Sequence, residues 1–152
     1  MFGWRRQNGA MPAPIPRLDA EGVNALLRRA FPEADPDRWN RVTEVAPGRV
    51  RLMQPYSGGN LRPGGVISGP MLMAIADAAA YALVLAHVGD QLMAVTSNLS
   101  INFLRGAVPG DLHAEAELLR LGRRLAVSDV RVWTETPERL AAHAVVTYAI
   151  PA

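Results

Sequence analysis

One carboxylate stands out in this chain. Asp77 lies within Val66 to Val88, a stretch otherwise almost wholly apolar, and alanines at 74, 76, 78, 79 and 80 surround it. A buried carboxylate without a partner is costly, so it needs either a hydrogen-bond donor or a chemical task. The small neighbours leave room for another molecule to approach. Two readings stay open from chemistry alone: a nucleophile or general base, and a structural Asp bonded to a nearby group. Seven residues earlier, Ser68-Gly69-Pro70 reads as a helix start. Ser68 can cap the first free N–H groups, and Pro70 suits the first helical position, where no N–H is needed. Pro70, Met73, Ala74 and Asp77 then share one helix face. The positive end of the helix dipole points into a glycine-rich loop, and the Gly69 N–H becomes a candidate donor to a developing oxyanion. A plain capped helix accounts for the same residues.

A third feature lies downstream. In a strand from Leu92 to Arg105, two-residue alternation puts Thr96, Asn98, Ser100 and Asn102 on one face, with Val95, Leu99, Ile101 and Phe103 mainly on the other. Such a polar face can bind an extended polar chain or a water; it can equally be a solvated outer face.

These residues need a frame to hold them. The chain has 152 residues, 49% hydrophobic and 20% charged, enough for one domain with a sizeable core. The net charge is +2, with no Lys/Arg run of the kind that tracks nucleic acid. The absence of cysteine excludes disulfides, a thiolate nucleophile and Cys-bound zinc, and it fits a cytoplasmic location. Prolines 12, 14 and 16 follow the first arginines where a signal peptide would need an apolar core. Val66 to Val88 is long enough to span a bilayer, but a mid-membrane carboxylate costs at least about 2.5 kcal/mol. Gly69-Pro70, Asp77 and His87 therefore favour a buried core helix, with no membrane partner.

Residues 1–17 read as a mobile N-terminal arm, and 18–152 as a single domain. Leu18 to Phe31 is expected to be a helix capped by Asp19, with Val23, Leu26, Leu27 and Ala30 as its apolar stripe. Arg41 to Val45 and Arg49 to Gln54 form a hairpin across Pro47-Gly48, and Ser57 to Gly65 is a loop. The long helix runs to about His87 and stops at Gly89. Strands then follow at Leu92–Arg105, Asp111–Leu121, Arg124–Thr134 and Arg139–Ile150. Short turns join them, which predicts a four-strand antiparallel meander. The class is α+β: a helix apolar on all sides, wrapped by a curved antiparallel sheet. The sheet covers one side of the helix, and a second copy of the chain is the natural cover for the remainder.

From Arg41 to Ile150 the chain resembles the hotdog fold, and within it the PaaI-like acyl-CoA thioesterases of the 4-hydroxybenzoyl-CoA thioesterase superfamily. The family pattern is a loop Asn, then His-Gly-Gly, then an apolar helix with Leu-x-Asp. Here Ser68-Gly69-Pro70 stands in place of His-Gly-Gly, and Ile75-Ala76-Asp77 follows at the family spacing. Val95-Thr96 through Ile101-Asn102-Phe103-Leu104-Arg105 is similar to the family's central strand. Pro109-Gly110-Asp111 and Leu121-Gly122-Arg123 are similar to its following turns. Three departures stand out: Ser68 for the His, Pro70 for the second Gly, and Asn60 eight residues before Ser68 rather than six, a spacing that falls on Arg62.

The resemblance implies hydrolysis of an acyl-CoA thioester to a free acid and coenzyme A. The thioester is the substrate; no cofactor or metal is implied. Asp77 would be nucleophile or general base, and Gly69 would polarise the carbonyl through its N–H. Thr96 would orient the attacking water, Asn60 would contact the thioester or the water, and Ser68 would complete the helix start. Arg62, Gly65, Pro70, Met73, Asn98, Arg105 and Arg123 would contact the substrate or the coenzyme A. The family site is shared across a homodimer, commonly a dimer of dimers (a homotetramer), so Asp77 and Thr96 of one chain would meet Gly69 of the other. Two alternatives remain: a non-catalytic acyl-CoA-binding hotdog domain, and a hotdog hydratase or dehydratase. The latter would want a histidine by the carboxylate, and only His87, His113 and His143 exist. The acyl group is not specified; Tyr56, Met71, Met73 and Tyr81 can line an apolar tunnel or belong to the core.

Overall fold

The computed structural model describes residues 12–152. Most of the expected arm lies outside the described residues. At its end the backbone is tied down, with the Arg17 and Leu18 N–H groups donating to the Ala86 carbonyl at 2.8 and 3.1 Å.

Helix α1, Ala20–Ala30, starts where expected. The Asp19 side chain accepts from the Gly22 N–H at 2.8 Å, and Val23, Leu26 and Leu27 face inward. Strands β1 (Arg41–Ala46) and β2 (Arg49–Gln54) form the predicted hairpin. Gly48 takes φ 70° at the turn, a left-handed conformation that glycine adopts without a Cβ penalty. The expected loop over 57–65 is more ordered than its composition suggests. A 3-10 turn, Gly58–Asn60, leads into β3 (Leu61–Arg62), which pairs with β4 (Val66–Ile67) across Pro63-Gly64-Gly65. Both glycines have positive φ there, so the glycine-rich stretch makes a tight turn.

Helix α2, Gly69–Val88, is the centre of the molecule, and Gly89 ends it at φ 84° with its N–H on the Leu85 carbonyl. Strands β5 (Val95–Phe103), β6 (Leu112–Leu121), β7 (Leu125–Trp133) and β8 (Ala142–Ala149) complete the main sheet, whose order is β1-β2-β6-β7-β8-β5. This corrects the four-strand meander. Strands β6, β7 and β8 do follow one another, but β5 pairs with β8 at the far edge. The segment 104–111, between β5 and β6, crosses from that edge to the middle of the sheet instead of making a hairpin turn. The inner faces of β2, β6, β7 and β8 bury Val50, Leu52, Ala114, Ala116, Val130 and Val146 against α2. Helix α1 packs on another side of α2. A stripe of α2 remains bare, where Pro70 and Ala74 are exposed and Met73 is 42% exposed.

His87, near the end of α2, is buried and satisfied at both ring nitrogens. Nε2 accepts from the Gly48 N–H at 2.9 Å, and Nδ1 lies 2.9 Å from the Leu83 carbonyl, to which it donates. That arrangement requires the neutral ring, and burial lowers its pKa from the ordinary value. The residue pins the β1–β2 turn to the core helix.

Candidate active site

Asp77 sits halfway along α2, partly buried, and lines an apolar cavity of about 290 Å³. Two hydroxyls converge on one of its oxygens. Thr96 Oγ1 donates to Oδ1 at 2.6 Å, and Tyr148 Oη donates to Oδ1 at 2.9 Å. Among the described residues no donor reaches Oδ2. The carboxylate is thus held by one oxygen while the other remains available. A hydroxyl has one proton and two lone pairs. Thr96, donating to Asp77, can therefore still accept from a water beside the carboxylate.

Each partner arrives from a different element for a local reason. Thr96 is the second residue of β5, and the register shifts between Thr96 and Asn98: Thr96 pairs with Tyr148, whereas Asn98 pairs with Thr147. The extra residue at Ser97 is a β-bulge, which reverses the alternation. Cross-strand partners share a face, so Thr96 joins Tyr148, Leu99, Ile101 and Phe103 on the helix side, while Asn98, Ser100 and Asn102 turn to the outer side with Thr147, Val145 and His143. The single polar face read from alternation is therefore corrected: the bulge separates Thr96 from Asn98. Tyr148 comes from β8, where alternate residues Ala142, Ala144 and Val146 are buried. Sequence reasoning did not single it out. The signal was present, because a phenol on the inner face of a buried strand must find a partner. Burial, with the Asp77 charge adding to it, pushes the Tyr148 phenol far above its ordinary pKa, so it stays protonated and remains a donor.

The helix start departs from expectation at Ser68. It is the N-cap by backbone geometry, yet its side chain caps nothing. A cap oxygen normally accepts from the second or third helical N–H. Here the second helical residue is Pro70, which has none, and the third N–H, of Met71, donates to the Ser68 carbonyl at 3.1 Å. Gly69, the first helical residue, lies against the Phe103 ring, 3.4 Å from where a Cβ would stand. Gly69 and Pro70 line a second cleft of about 480 Å³ with Arg62, Phe103 and Arg105. This gathers three of the expected substrate contacts around the expected oxyanion donor. Asp77 is not among them: it lies eight residues beyond Gly69 on the helix, about 12 Å along the axis.

The remaining expected residues scatter. Gly65 is in the β3–β4 turn, and Asn60 closes the 3-10 turn. Arg123 lies in the β6–β7 turn, at the sheet end where β5 begins; Arg105 follows the other end of β5, about 30 Å away at strand rise. Met71 and Tyr81 line the cavity beside Asp77, but Met73 and Tyr56 do not. His113 stacks on Trp133, and His143 pairs with Asp129 at 2.5 Å, so none of the three histidines is bonded to Asp77.

A long core helix wrapped by a curved antiparallel sheet is the hotdog fold. The sequence profile of the thioesterase superfamily matches residues 64–141, just over half the chain. The chain belongs to that superfamily. A crystal structure of a provisionally named thioesterase from Silicibacter sp. TM1040 is 37% identical, covers 90% of this chain and 94% of its own, and superposes with a TM-score of 0.79. A phenylacetic acid degradation-related protein from Ralstonia eutropha JMP134, also provisionally named a thioesterase, is 28% identical over 84% of this chain and 100% of its own, with a TM-score of 0.70. A provisionally named esterase from Thermoplasma acidophilum is 27% identical over 89 residues, which is 59% of this chain and 67% of the relative. Together these support a hydrolase of the thioesterase type.

Proposed function

We propose that the protein hydrolyses an acyl-CoA thioester to the free acid and coenzyme A, with Asp77 as the catalytic carboxylate. The observation that carries this is the Asp77 carboxylate, fixed through one oxygen by Thr96 and Tyr148 in the lining of an apolar cavity. As general base, Asp77 takes a proton from water, the water oxygen attacks the carbonyl carbon, and the C–S bond breaks. The proton then goes to the leaving sulfur. As nucleophile, Asp77 attacks the carbonyl carbon, the C–S bond breaks to release coenzyme A, whose sulfur takes a proton from solvent, and water then cleaves the resulting acyl-carboxylate anhydride to the free acid and the restored Asp77. Either route builds negative charge on the carbonyl oxygen, which a helix N-terminus can stabilise.

The 12 Å between Asp77 and Gly69 along one helix is too far for both to act on one carbonyl. The reading therefore requires a homodimer in which Gly69, Arg62 and Arg105 of one chain face Asp77 and Thr96 of the other. The bare stripe of α2 and the unpaired edge of β5 support it. Val95 is 58% and Phe103 52% exposed along that edge, and a nine-residue edge strand leaves a row of unpaired backbone groups that proteins normally cover. Pairing of two such dimers into a tetramer, and action in the cytoplasm, complete the proposal. Ser68 and Pro70 favour one competing reading, an acyl-CoA-binding domain without turnover.

The test is a hydrolysis assay across short, medium, long and aromatic acyl-CoAs with Asp77→Ala alongside. Turnover that collapses in the variant supports hydrolysis. Binding without turnover on the whole panel supports the competing reading and overturns this one.

A further inference from the structure

The cavity beside Asp77 has a definite far end. One side is a chain of aromatic rings leading away from the carboxylate: Tyr148 stacks on Tyr81 at 5.7 Å, Tyr81 meets Phe31 edge-on at 6.3 Å, and Phe31 meets Trp39 at 5.5 Å. Beyond Phe31 and Trp39 lies a second cavity of about 160 Å³. The two cavities share four lining residues, Leu27, Phe31, Trp39 and Asn40. Those four stand between the two cavities as a partition. They come from α1 and the segment after it, which lie outside the stretch matched by the superfamily profile. Phe31 and Trp39 are 43% and 37% exposed, so the two rings of the partition face the surface, while Leu27 belongs to the core.

We propose that this partition sets acyl-chain length: the 290 Å³ cavity takes a compact acyl group, a single ring or a chain of about six to eight carbons, and Trp39 blocks longer ones. The inference rests on the hydrolase reading for the identity of the thioester, but not for the shape of the cavity. An apolar cavity of about 150 Å³ holds one benzene ring, so 290 Å³ accepts a ring with a short linker but not a long extended chain. The carboxylate at one end fixes where the thioester carbon must lie; the rings at the other fix how far the acyl tail can run. Removing the Trp39 indole joins the two cavities and gives a longer tail somewhere to go.

The experiment uses thioethers of coenzyme A that cannot be hydrolysed, bearing S-hexyl, S-benzyl or S-dodecyl groups, with binding measured by calorimetry on the full chain. Each methylene that finds a buried apolar site is worth about fourfold in affinity. Wild-type protein is expected to bind S-hexyl and S-benzyl and to bind S-dodecyl no tighter than S-hexyl. Trp39→Ala is expected to favour S-dodecyl over S-hexyl by tenfold or more, and kcat/KM on the matching thioesters is expected to shift the same way. Trp39→Leu keeps an apolar side chain in place and serves if the alanine variant does not fold. Steady tightening up to S-dodecyl in the wild type overturns the proposal, as does an unchanged dodecyl-to-hexyl ratio in both variants or a failure to bind any of the thioethers. The two readings separate cleanly. The expected binding pattern with no turnover of any acyl-CoA sinks the hydrolase and leaves the partition standing; turnover with a flat length profile does the reverse.

Discussion

Tyr148→Phe removes one oxygen atom and is a sharp probe of how Asp77 is held. The ring remains, still stacked on Tyr81 at 5.7 Å, so the core keeps its shape. What is lost is the 2.9 Å bond from Oη to Asp77 Oδ1, together with a weaker 3.3 Å contact to the Asp77 carbonyl. A hydrogen bond to a charged group is worth about 1.5–3 kcal/mol. Thr96 still donates to the same oxygen at 2.6 Å, which keeps the carboxylate partly anchored and favours the lower end of that range. Taking about 1.5–2 kcal/mol, and 1.36 kcal/mol per factor of ten, kcat should fall about 10- to 30-fold. KM should change little, because the hydroxyl orients the carboxylate and does not hold the substrate. The stability loss should be of the same order, about 1.5–2 kcal/mol for one hydrogen bond to a charged group. Steady-state kinetics on the best acyl-CoA, with circular dichroism as a fold control, give the readout. A kcat within twofold of wild type would show that the Tyr148 bond does not position the catalytic group. A loss as deep as that of an Asp77 variant would make Tyr148 a proton donor in its own right. Either result refutes the positioning role.

Three further outcomes follow from the same geometry. Thr96→Val removes the shorter of the two bonds and the lone pairs that can receive water, so kcat should fall further than in Tyr148→Phe, by about 100-fold, within the range typical of a proton-transfer partner; equal or smaller losses would deny Thr96 a role toward water. Gly69→Ala keeps the N–H and meets Phe103 at an ordinary contact distance, so activity should survive, whereas Gly69→Pro deletes the N–H and should cost about 10²–10³ in kcat. Co-expressing Gly69→Pro with Asp77→Ala should then restore about a quarter of wild-type activity, since random pairing makes half the dimers mixed and each mixed dimer has one intact site of two; no recovery would place both groups in one chain. For His87, the folded state prefers the neutral ring, so its folded pKa lies below the unfolded 6.5. The folded state then binds fewer protons, and its stability is full above pH 6.5 and declines as the pH falls below it. His87→Leu should flatten that decline in Tm between pH 7 and 5. It should also lower stability at pH 7 by about 1–3 kcal/mol, because the Gly48 N–H loses its acceptor.

Much of the frame was legible because it is local. The α1 cap at Asp19, the stop of α2 at Gly89 and the β1–β2 turn at Gly48 each depend on a few adjacent residues. Asp77 was legible because a carboxylate among alanines is an energetic anomaly. The place of β5 was not: alternation and turns mark a strand but do not choose its partner, and the 104–111 segment is long enough either to turn back or to cross. The face of Thr96 was misread for a related reason, since the bulge at Ser97 leaves no trace in a pattern of Thr, Ser and Asn. Ser68 was expected to cap and does not, because Pro70 removes one of the N–H groups its hydroxyl needs. Tyr148 and the Phe31–Trp39 partition were missed because they exist only once α1, α2 and β8 are packed together.

The most direct test of the central claim is Asp77→Asn, which keeps the shape of the side chain and removes its charge and basicity. Activity should be compared on the best acyl-CoA, with binding of a non-hydrolysable thioether measured on the same preparations. Loss of about 10³-fold or more in kcat, with thioether affinity and fold retained, is the expected result, within the range for loss of a general base with its electrostatic contribution. An Asn variant that hydrolyses the thioester at the wild-type rate would contradict it, and would leave Asp77 a structural carboxylate bonded to two hydroxyls.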